Sequence, residues 1–157
     1  MNNVTLRDYQ PQDLPSLAQL FILSVTEVAS QDYSAAQIHA WAQVDEACWR
    51  ERLARARVFV ACDGEKRLGF ISLEREGHID MLFVHPQALR RGVAAALLAR
   101  LEQAARQQRL TRLTTDASLT ARPFFTASGF SIEQAQTVAL RGETFINYRM
   151  VKTLPAT

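Results

Sequence analysis

Apolar and polar positions along the chain repeat with two periodicities, one typical of strands and one typical of helices. Val4 to Tyr9 alternates apolar and polar residues, which predicts a short half-buried strand. Apolar residues then recur at helical spacing from Leu14 to about Val28, and Asp13 precedes them as a candidate N-cap. Two shorter helices are expected next, one capped by Ser34 and one capped by Asp45.

The middle of the chain predicts a meander of strands followed by a helix. The runs Val58 to Ala61, Leu68 to Leu73 and His78 to Val84 are rich in strand-forming residues and are separated by turn signals. A helix is expected from Gly92 to about Gln108, and Leu110 to Ala117 again has strand character. Because a helix joins these last two strands, we expect them to be parallel.

The last third of the chain predicts a short helix and a hairpin. Ser118 or Thr120 is placed to cap the helix, which runs through Phe125. The hairpin extends from Phe130 to Val151 and turns at Arg141-Gly142. Strands and helices therefore alternate along residues 1–157, which we interpret as a single domain.

Composition narrows the class of protein. Of 157 residues, 48% are hydrophobic and 22% are charged, and the net charge of +2 gives no sign of a nucleic-acid binder. Cys48 and Cys62 are too few for a disulfide framework and fit a reducing cytoplasm. The polar N-terminus does not resemble a signal peptide, and apolar runs are too short to span a bilayer. The expectation is a cytoplasmic, metal-free protein without membrane partners.

One stretch, from Ile79 to Leu98, has the pattern of an anion site. An apolar strand stops at His85-Pro86, a basic pair and Gly92 follow, and a slim alanine-rich helix begins. The first N–H groups of a helix point outward beside the positive end of its dipole, and this arrangement suits a phosphate group. Gly92 lets a ligand approach the backbone closely, and Ala94 to Ala96 keep the next turn narrow.

Two segments resemble the landmarks of the GCN5-related N-acetyltransferases, the GNAT family. LFVHPQALRRGVAAALL is similar to the acyl-CoA signature of that family, and ASLTARPFFTASGF is similar to its second landmark. Small bacterial members are the most similar, and the resemblance covers nearly the whole chain. It implies an α/β (α+β) fold, in which a mixed and mostly antiparallel sheet contains one splayed parallel pair and is flanked by helices.

The resemblance also implies acetyl-CoA as co-substrate, lying in the gap between the strands that end at Val84 and near Ala117. Leu89 stands where the family pattern has Gln or Arg, which removes a polar side chain but leaves the backbone amides. The arginine pair is interpreted either as added charge near the phosphates or as a solvated pair. The implied cofactor-binding residues are Leu82, Phe83, Val84, Arg90, Arg91, Gly92, Val93, Ala94, Ala95 and Phe125.

Acetyl transfer to an amine needs a base, and the strand before the gap carries two candidates. His78, Asp80, Leu82 and Val84 are expected to share one face because they alternate along a strand. Family members often carry a catalytic base or a water relay at such positions, so Asp80 and His78 are candidate catalytic residues. The alternatives are a structural His78 beside a turn and an Asp80 that holds neighbouring backbone.

The leaving thiolate needs a proton donor, but Phe125 occupies the position of the family's tyrosine. A phenyl ring cannot donate a proton, so Ser118, Tyr148 or water are the candidates, and Phe125 becomes a wall residue.

Acceptor-site candidates lie in the first half of the chain. Trp41 and Trp49 either line a substrate pocket or anchor helices on the sheet. Tyr33 and Glu27 are further pocket candidates, with surface positions as the alternative.

The resulting hypothesis is an N-acetyltransferase that moves an acetyl group directly from acetyl-CoA to a primary amine of a small molecule or peptide. The alternative is an acyl-CoA-binding sensor module without turnover, for which Phe125 is the argument. The sequence leaves the acceptor open, and pairing through the final hairpin in a homodimer is a further possibility.

Overall fold

A computed structural model describes residues 3–155. Seven strands and five α-helices follow the predicted order, with single 3-10 turns between some of them. Within the described range, no helix is both long and apolar enough to cross a membrane. The strands are β1 (Thr5–Asp8), β2 (Arg57–Asp63), β3 (Lys66–Leu73), β4 (His78–Val84), β5 (Arg112–Ser118), β6 (Ser131–Leu140) and β7 (Glu143–Thr153). The helices are α1 (Leu14–Glu27), α2 (Ala35–Trp41), α3 (Glu46–Arg55), α4 (Val93–Gln107) and α5 (Arg122–Ala127).

The strands form one sheet in the order β1-β2-β3-β4-β5-β7-β6. Every neighbouring pair is antiparallel except β4 and β5, which are parallel, as expected from the helix that connects them. The parallel pairing is short, since only His78 with Thr114 and Ile79 with Thr115 are partners. Beyond these two pairs the strands separate, and the splayed pair expected from the family resemblance is confirmed.

Helices cover both faces of the sheet because successive strand residues point to opposite sides. In β2, Phe59 and Ala61 belong to a core under α4 and α5, whereas Val58 and Val60 belong to a second core under α1, α2 and α3. The large apolar side chains of both cores are almost fully buried. The two layers together fix β4 and β5 at the middle of the sheet.

Side-chain caps explain the starts of two of the five helices, α2 and α3. The Ser34 hydroxyl accepts a hydrogen bond from Gln37 N while Gln37 Oε1 accepts the Ser34 N–H, and the Asp45 side chain accepts one from Cys48 N. The expected cap of α5 by Ser118 or Thr120 is wrong: Ala121 is the N-cap residue without a side-chain cap, and Ser118 accepts only the Ala121 N–H that precedes the helix.

The expected cap at Asp13 is wrong in its chemistry. Asp13 does precede α1, but its side chain makes no capping bond to that helix. The carboxylate is buried, at 1% exposed, and accepts bonds of 2.8 Å from both Nη atoms of Arg7, from Arg67 Nε and from Gln10 N. Arg7 lies on β1 and Arg67 on β3, so the carboxylate joins the start of α1 to two strands.

Burial alone would raise the pKa of Asp13, but the bonds from Arg7, Gln10 N–H and Arg67 outweigh burial and lower that pKa to about 2. A carboxyl group in an unfolded chain has a pKa of about 3.9. The ionised form therefore stabilises the fold above about pH 4, and this contribution disappears as the pH falls towards 2.

We predict that Asp13→Asn lowers the free energy of unfolding at pH 7 by about 2 kcal/mol, because two guanidinium groups lose their charged partner. Urea denaturation at pH 7 and pH 3 measures this loss, and the difference between variant and native protein should shrink at pH 3. Asp8→Asn is the matched control, since Asp8 is 69% exposed and meets Arg57 at 3.5 Å. Equal stability of the two variants at pH 7 would contradict the prediction.

Candidate active site

A β-bulge in β4 sets the orientation of the candidate catalytic residues. Leu73 of β3 is opposite Ile79, and Ser72 is opposite Met81, so Asp80 is an extra residue without a partner in β3. The buried Ser72 hydroxyl accepts the Met81 N–H at 3.0 Å. This bond satisfies a backbone donor at the irregularity.

The bulge reverses the alternation of β4, and the expectation that its four residues share one face is wrong. Leu82 and Val84 pack against the core under α4. Asp80 instead contacts Arg52 of α3, and His78 approaches Asp116 on the same side of the sheet. The candidate base Asp80 therefore points to the α3 face of the sheet, whereas Leu82 and Val84, on the candidate pantetheine strand, point to the α4 face.

A cavity of about 370 Å³ opens where β4 and β5 separate. Its walls come from β4 at residues 79–83, from β5 at residues 115–118, from Phe125 of α5, and from the helices and hairpin on the α3 side. The cavity therefore brings together four predicted site residues, Asp80, Leu82, Phe83 and Phe125, and a fifth, Ser118. His78 and Tyr148 are not among its lining residues.

Asp80 is held at the cavity by a guanidinium group. Arg52 Nη2 lies 2.8 Å and Arg52 Nε 3.2 Å from the same Asp80 oxygen, Oδ2. The other carboxylate oxygen, Oδ1, makes no hydrogen bond to any residue in the described part of the chain. One oxygen of Asp80 thus positions the side chain, and the second can accept a proton.

His78 and Asp116 form a second polar group beside the first. His78 Nδ1 lies 2.8 Å from the Thr114 hydroxyl, and His78 Nε2 lies 3.6 Å from Asp116. Burial would raise the pKa of Asp116, but bonds from Arg149 and Gln136 outweigh it and lower that pKa. Asp116 faces the cavity as a carboxylate that stays ionised, and His78 lies behind it.

The two proton-donor candidates are placed differently. Ser118 lines the cavity, and its hydroxyl oxygen accepts the Ala121 N–H at 3.1 Å just before α5. Tyr148 packs with the core under α4 and α5, and the Arg122 guanidinium lies 5.3 Å from the centre of its ring. Phe125 forms part of the cavity wall and is 2% exposed.

The start of α4 is an open set of backbone donors. Arg90 and Gly92 both have left-handed backbones, with φ of 65° and 76°, and no side chain caps the helix. The N–H groups of Val93, Ala94 and Ala95 precede the first intrahelical bond, which joins Ala96 N to Gly92 O. A Cβ built on Gly92 would meet no heavy atom within 4 Å. This geometry fits a pyrophosphate.

Charged and exposed side chains flank these donors. Arg91 pairs with Asp63 at 3.3 Å, and Leu89 is 46% exposed at the position where the family has a polar side chain. The positive end of the helix dipole also favours an anion at this site.

Several residues connect the α2 region to the final hairpin, and only Tyr33 among them was a candidate from the sequence. Tyr33 donates its hydroxyl to Ile146 O at 3.3 Å and accepts the Leu119 N–H at 2.8 Å. Burial raises the pKa of this phenol. Arg141 donates to Ala40 O at 2.7 Å, and Phe145 supplies a ring to the cavity. These contacts join residues about a hundred positions apart, and local patterns carry no signal for them.

Three of the four remaining pocket candidates from the sequence, Trp41, Trp49 and Tyr33, line the cavity. Trp41 and Trp49 pack against Phe21 and the sheet, as the anchor interpretation expects, and both also line the cavity. Tyr33 lines the cavity as well. Glu27 is exposed and is not one of the lining residues.

Comparison with known proteins agrees with this geometry. The sequence profile described as "Acetyltransferase (GNAT) domain" matches residues 29–152. The chain belongs to the GNAT family of acetyltransferases. It is 49% identical over 150 residues to the uncharacterized N-acetyltransferase YafP of Escherichia coli, and the match covers 96% of each chain.

Solved structures show the same fold. A GCN5-related N-acetyltransferase from Rhodopseudomonas palustris superimposes with a TM-score of 0.94 at 37% identity, covering 98% of both chains. The PaiA N-acetyltransferase of Thermoplasma acidophilum, solved in complex with coenzyme A, superimposes with a TM-score of 0.82 at 16% identity. That match covers 96% of this chain and 99% of PaiA. GNAT membership and the expected enzyme class, an acetyltransferase, are confirmed.

We predict that Tyr33→Phe lowers the free energy of unfolding by about 1 kcal/mol, because the Leu119 N–H loses its acceptor. Chemical denaturation followed by circular dichroism measures the change. Tyr9→Phe is the control, since the Tyr9 hydroxyl makes no hydrogen bond within residues 3–155 and its removal should have little effect. The prediction fails if the two variants lose the same stability.

Proposed function

We propose that this protein transfers an acetyl group from acetyl-CoA to a primary amine by direct attack. The observation that carries the proposal is the separation of β4 from β5 beside the uncapped start of α4. In this proposal, the pantetheine arm runs along residues 82–84 as an added strand would. The pyrophosphate binds the N–H groups of residues 90–95, and Phe125 closes the gap at the inner end. PaiA was solved with coenzyme A and shares the fold, which supports this placement.

The chemistry needs few groups from the protein. Acetyl-CoA supplies the activated thioester. The neutral amine nitrogen forms a bond to the acetyl carbon, the carbon–sulfur bond breaks, and the nitrogen loses a proton. Asp80 Oδ1 accepts this proton, while Arg52 holds Oδ2 and keeps the carboxylate pointed at the gap. The thiolate takes its proton from water or from Ser118, since Phe125 cannot donate one.

An acyl-CoA-binding sensor without turnover is the second candidate. The specific observation in its favour is the apolar Phe125 at the position of the family's tyrosine, with Tyr148 packed in the same core and not lining the cavity. A sensor would bind the cofactor equally well but would not depend on Asp80.

We predict that Asp80→Asn lowers kcat by at least about 100-fold, because the amine loses its proton acceptor. Thiol release from acetyl-CoA, followed across a panel of primary amines, measures the rate. Arg52→Gln is the matched control, since it breaks the same ion pair and keeps the carboxylate, and we expect a loss of about tenfold or less.

Two outcomes contradict the proposal. If coenzyme A binds but the native protein releases no thiol with any amine, the sensor candidate is favoured. If Asp80→Asn and Arg52→Gln lose the same activity, Asp80 acts through its ion pair and is not the base.

We also predict that Gly92→Ala weakens coenzyme A binding at least about tenfold, because a side chain strains the left-handed backbone and crowds the phosphates. Isothermal titration calorimetry measures the Kd. Gly64→Ala is the control: Gly64 has φ of 62°, its Cβ would also meet no atom within 4 Å, and it lies in the β2–β3 turn. Equal weakening by both substitutions would indicate a general loss of stability.

A further inference from the structure

The acceptor side of the cavity is built mainly from aromatic rings. The chain has 13 aromatic residues, and a contiguous group of six lines this side. Trp41 is the centre of the group, with ring centroids 5.5 Å from Tyr33, 6.3 Å from Phe83 and 6.3 Å from Phe145. These rings meet at steep angles, so their edges and faces alternate around the space. The six residues are Phe21, Tyr33, Trp41, Trp49, Phe83 and Phe145.

The charges of the cavity argue against a polycationic acceptor. In the described part of the chain, three carboxylates line it, and each already has a partner. Asp80 pairs with Arg52 at 2.8 Å, and Asp116 accepts from Arg149 at 2.7 Å. Asp45 accepts the Cys48 N–H as the cap of α3. A polyamine would find no row of unpaired carboxylates, whereas a single amine needs only the second oxygen of Asp80.

The size of the cavity limits the acceptor further. About 370 Å³ must hold the acetyl end of the cofactor as well as the acceptor, which leaves room for one ring and a short linker. Tyr33 itself lines the cavity, and its hydroxyl is fixed by Ile146 O and the Leu119 N–H, which lie side by side beyond the last pair of β5 and β7.

We propose that the acceptor is a small primary amine joined through a short linker to a single flat aromatic group. This inference rests on the acetyltransferase function proposed above and names its substrate class. The aromatic group lies among the six rings, where edge-to-face contacts favour an arene over an aliphatic group of similar size. The amine then reaches Asp80 at the mouth of the β4–β5 gap.

The direct test compares four amines as acceptors in the thiol-release assay. The probes are 2-phenylethylamine, 2-cyclohexylethylamine, spermidine and a short peptide that contains lysine. We expect kcat/KM for 2-phenylethylamine to exceed that of each other probe by at least about tenfold. A preference for spermidine or the peptide, or equal rates with the phenyl and cyclohexyl amines, would overturn the inference.

A binding measurement separates this inference from the proposed activity. The chain has two tryptophans, and both line the cavity, so their fluorescence reports acceptor binding without turnover. With coenzyme A present, 2-phenylethylamine should give a saturable fluorescence change that spermidine does not give. A saturable change without thiol release from any amine would support the aromatic site and refute acetyl transfer. Release with other amines but no fluorescence response to 2-phenylethylamine would do the reverse.

Two variants locate the effect within the ring group. Trp41→Leu and Phe145→Leu, on different walls, should each raise KM for 2-phenylethylamine about tenfold and change KM for 2-cyclohexylethylamine much less. Tyr9→Leu is the control, because Tyr9 packs against the same core but does not line the cavity. Coenzyme A binding by each variant shows that it is folded. Unchanged KM values in both folded ring variants would overturn the inference.

Discussion

The early end of the pairing between β4 and β5 is the constraint on which the rest of the molecule depends. Two residue pairs hold the strands together, and from Asp80 onward each strand has a hydrogen-bonding edge without its neighbour. Unpaired backbone groups in the middle of a sheet are costly unless water or a ligand satisfies them. The cores on both faces keep the strands apart, so the gap persists as a lasting opening for an extended ligand.

Electrostatic balance matters as much as shape at this opening. A cavity with surplus negative charge would hold an incoming amine in its protonated form, which has no lone pair for attack. Arg52 beside Asp80 and Arg149 beside Asp116 offset most of that charge. Both carboxylates are therefore held in fixed orientations, and the electric field that they create in the cavity is modest. Paired carboxylates of this kind are better suited to accepting a proton than to binding cations.

Features could be predicted from the sequence where the interacting residues lie close together along the chain. The β4–α4 stretch lies within twenty consecutive residues, so strand, turn, Gly92 and helix could be identified in order. The bulge could not, because Ile79 and Asp80 look like ordinary members of a strand and the irregularity arises from Ser72 on the neighbouring strand. The ion pairs of Asp13 could not be predicted either, because its partner Arg67 is 54 positions away along the chain. The acceptor walls need α2 and the hairpin together, and no local pattern predicts that contact.

The hydrogen bonds between the α2 region and the final hairpin have a consequence for how such a site evolves. Tyr33 and Gln37 reach main-chain oxygens of Ile146 and Thr144, and Arg141 reaches the main-chain oxygen of Ala40. Every residue type carries the same carbonyl group, so these hydrogen bonds do not depend on the side chain at the receiving position. A lineage can therefore exchange the exposed side chain of Ile146 without loosening the joint, whereas the buried Ala40 is also constrained by packing. The frame around the cavity stays in place while its exposed surface changes.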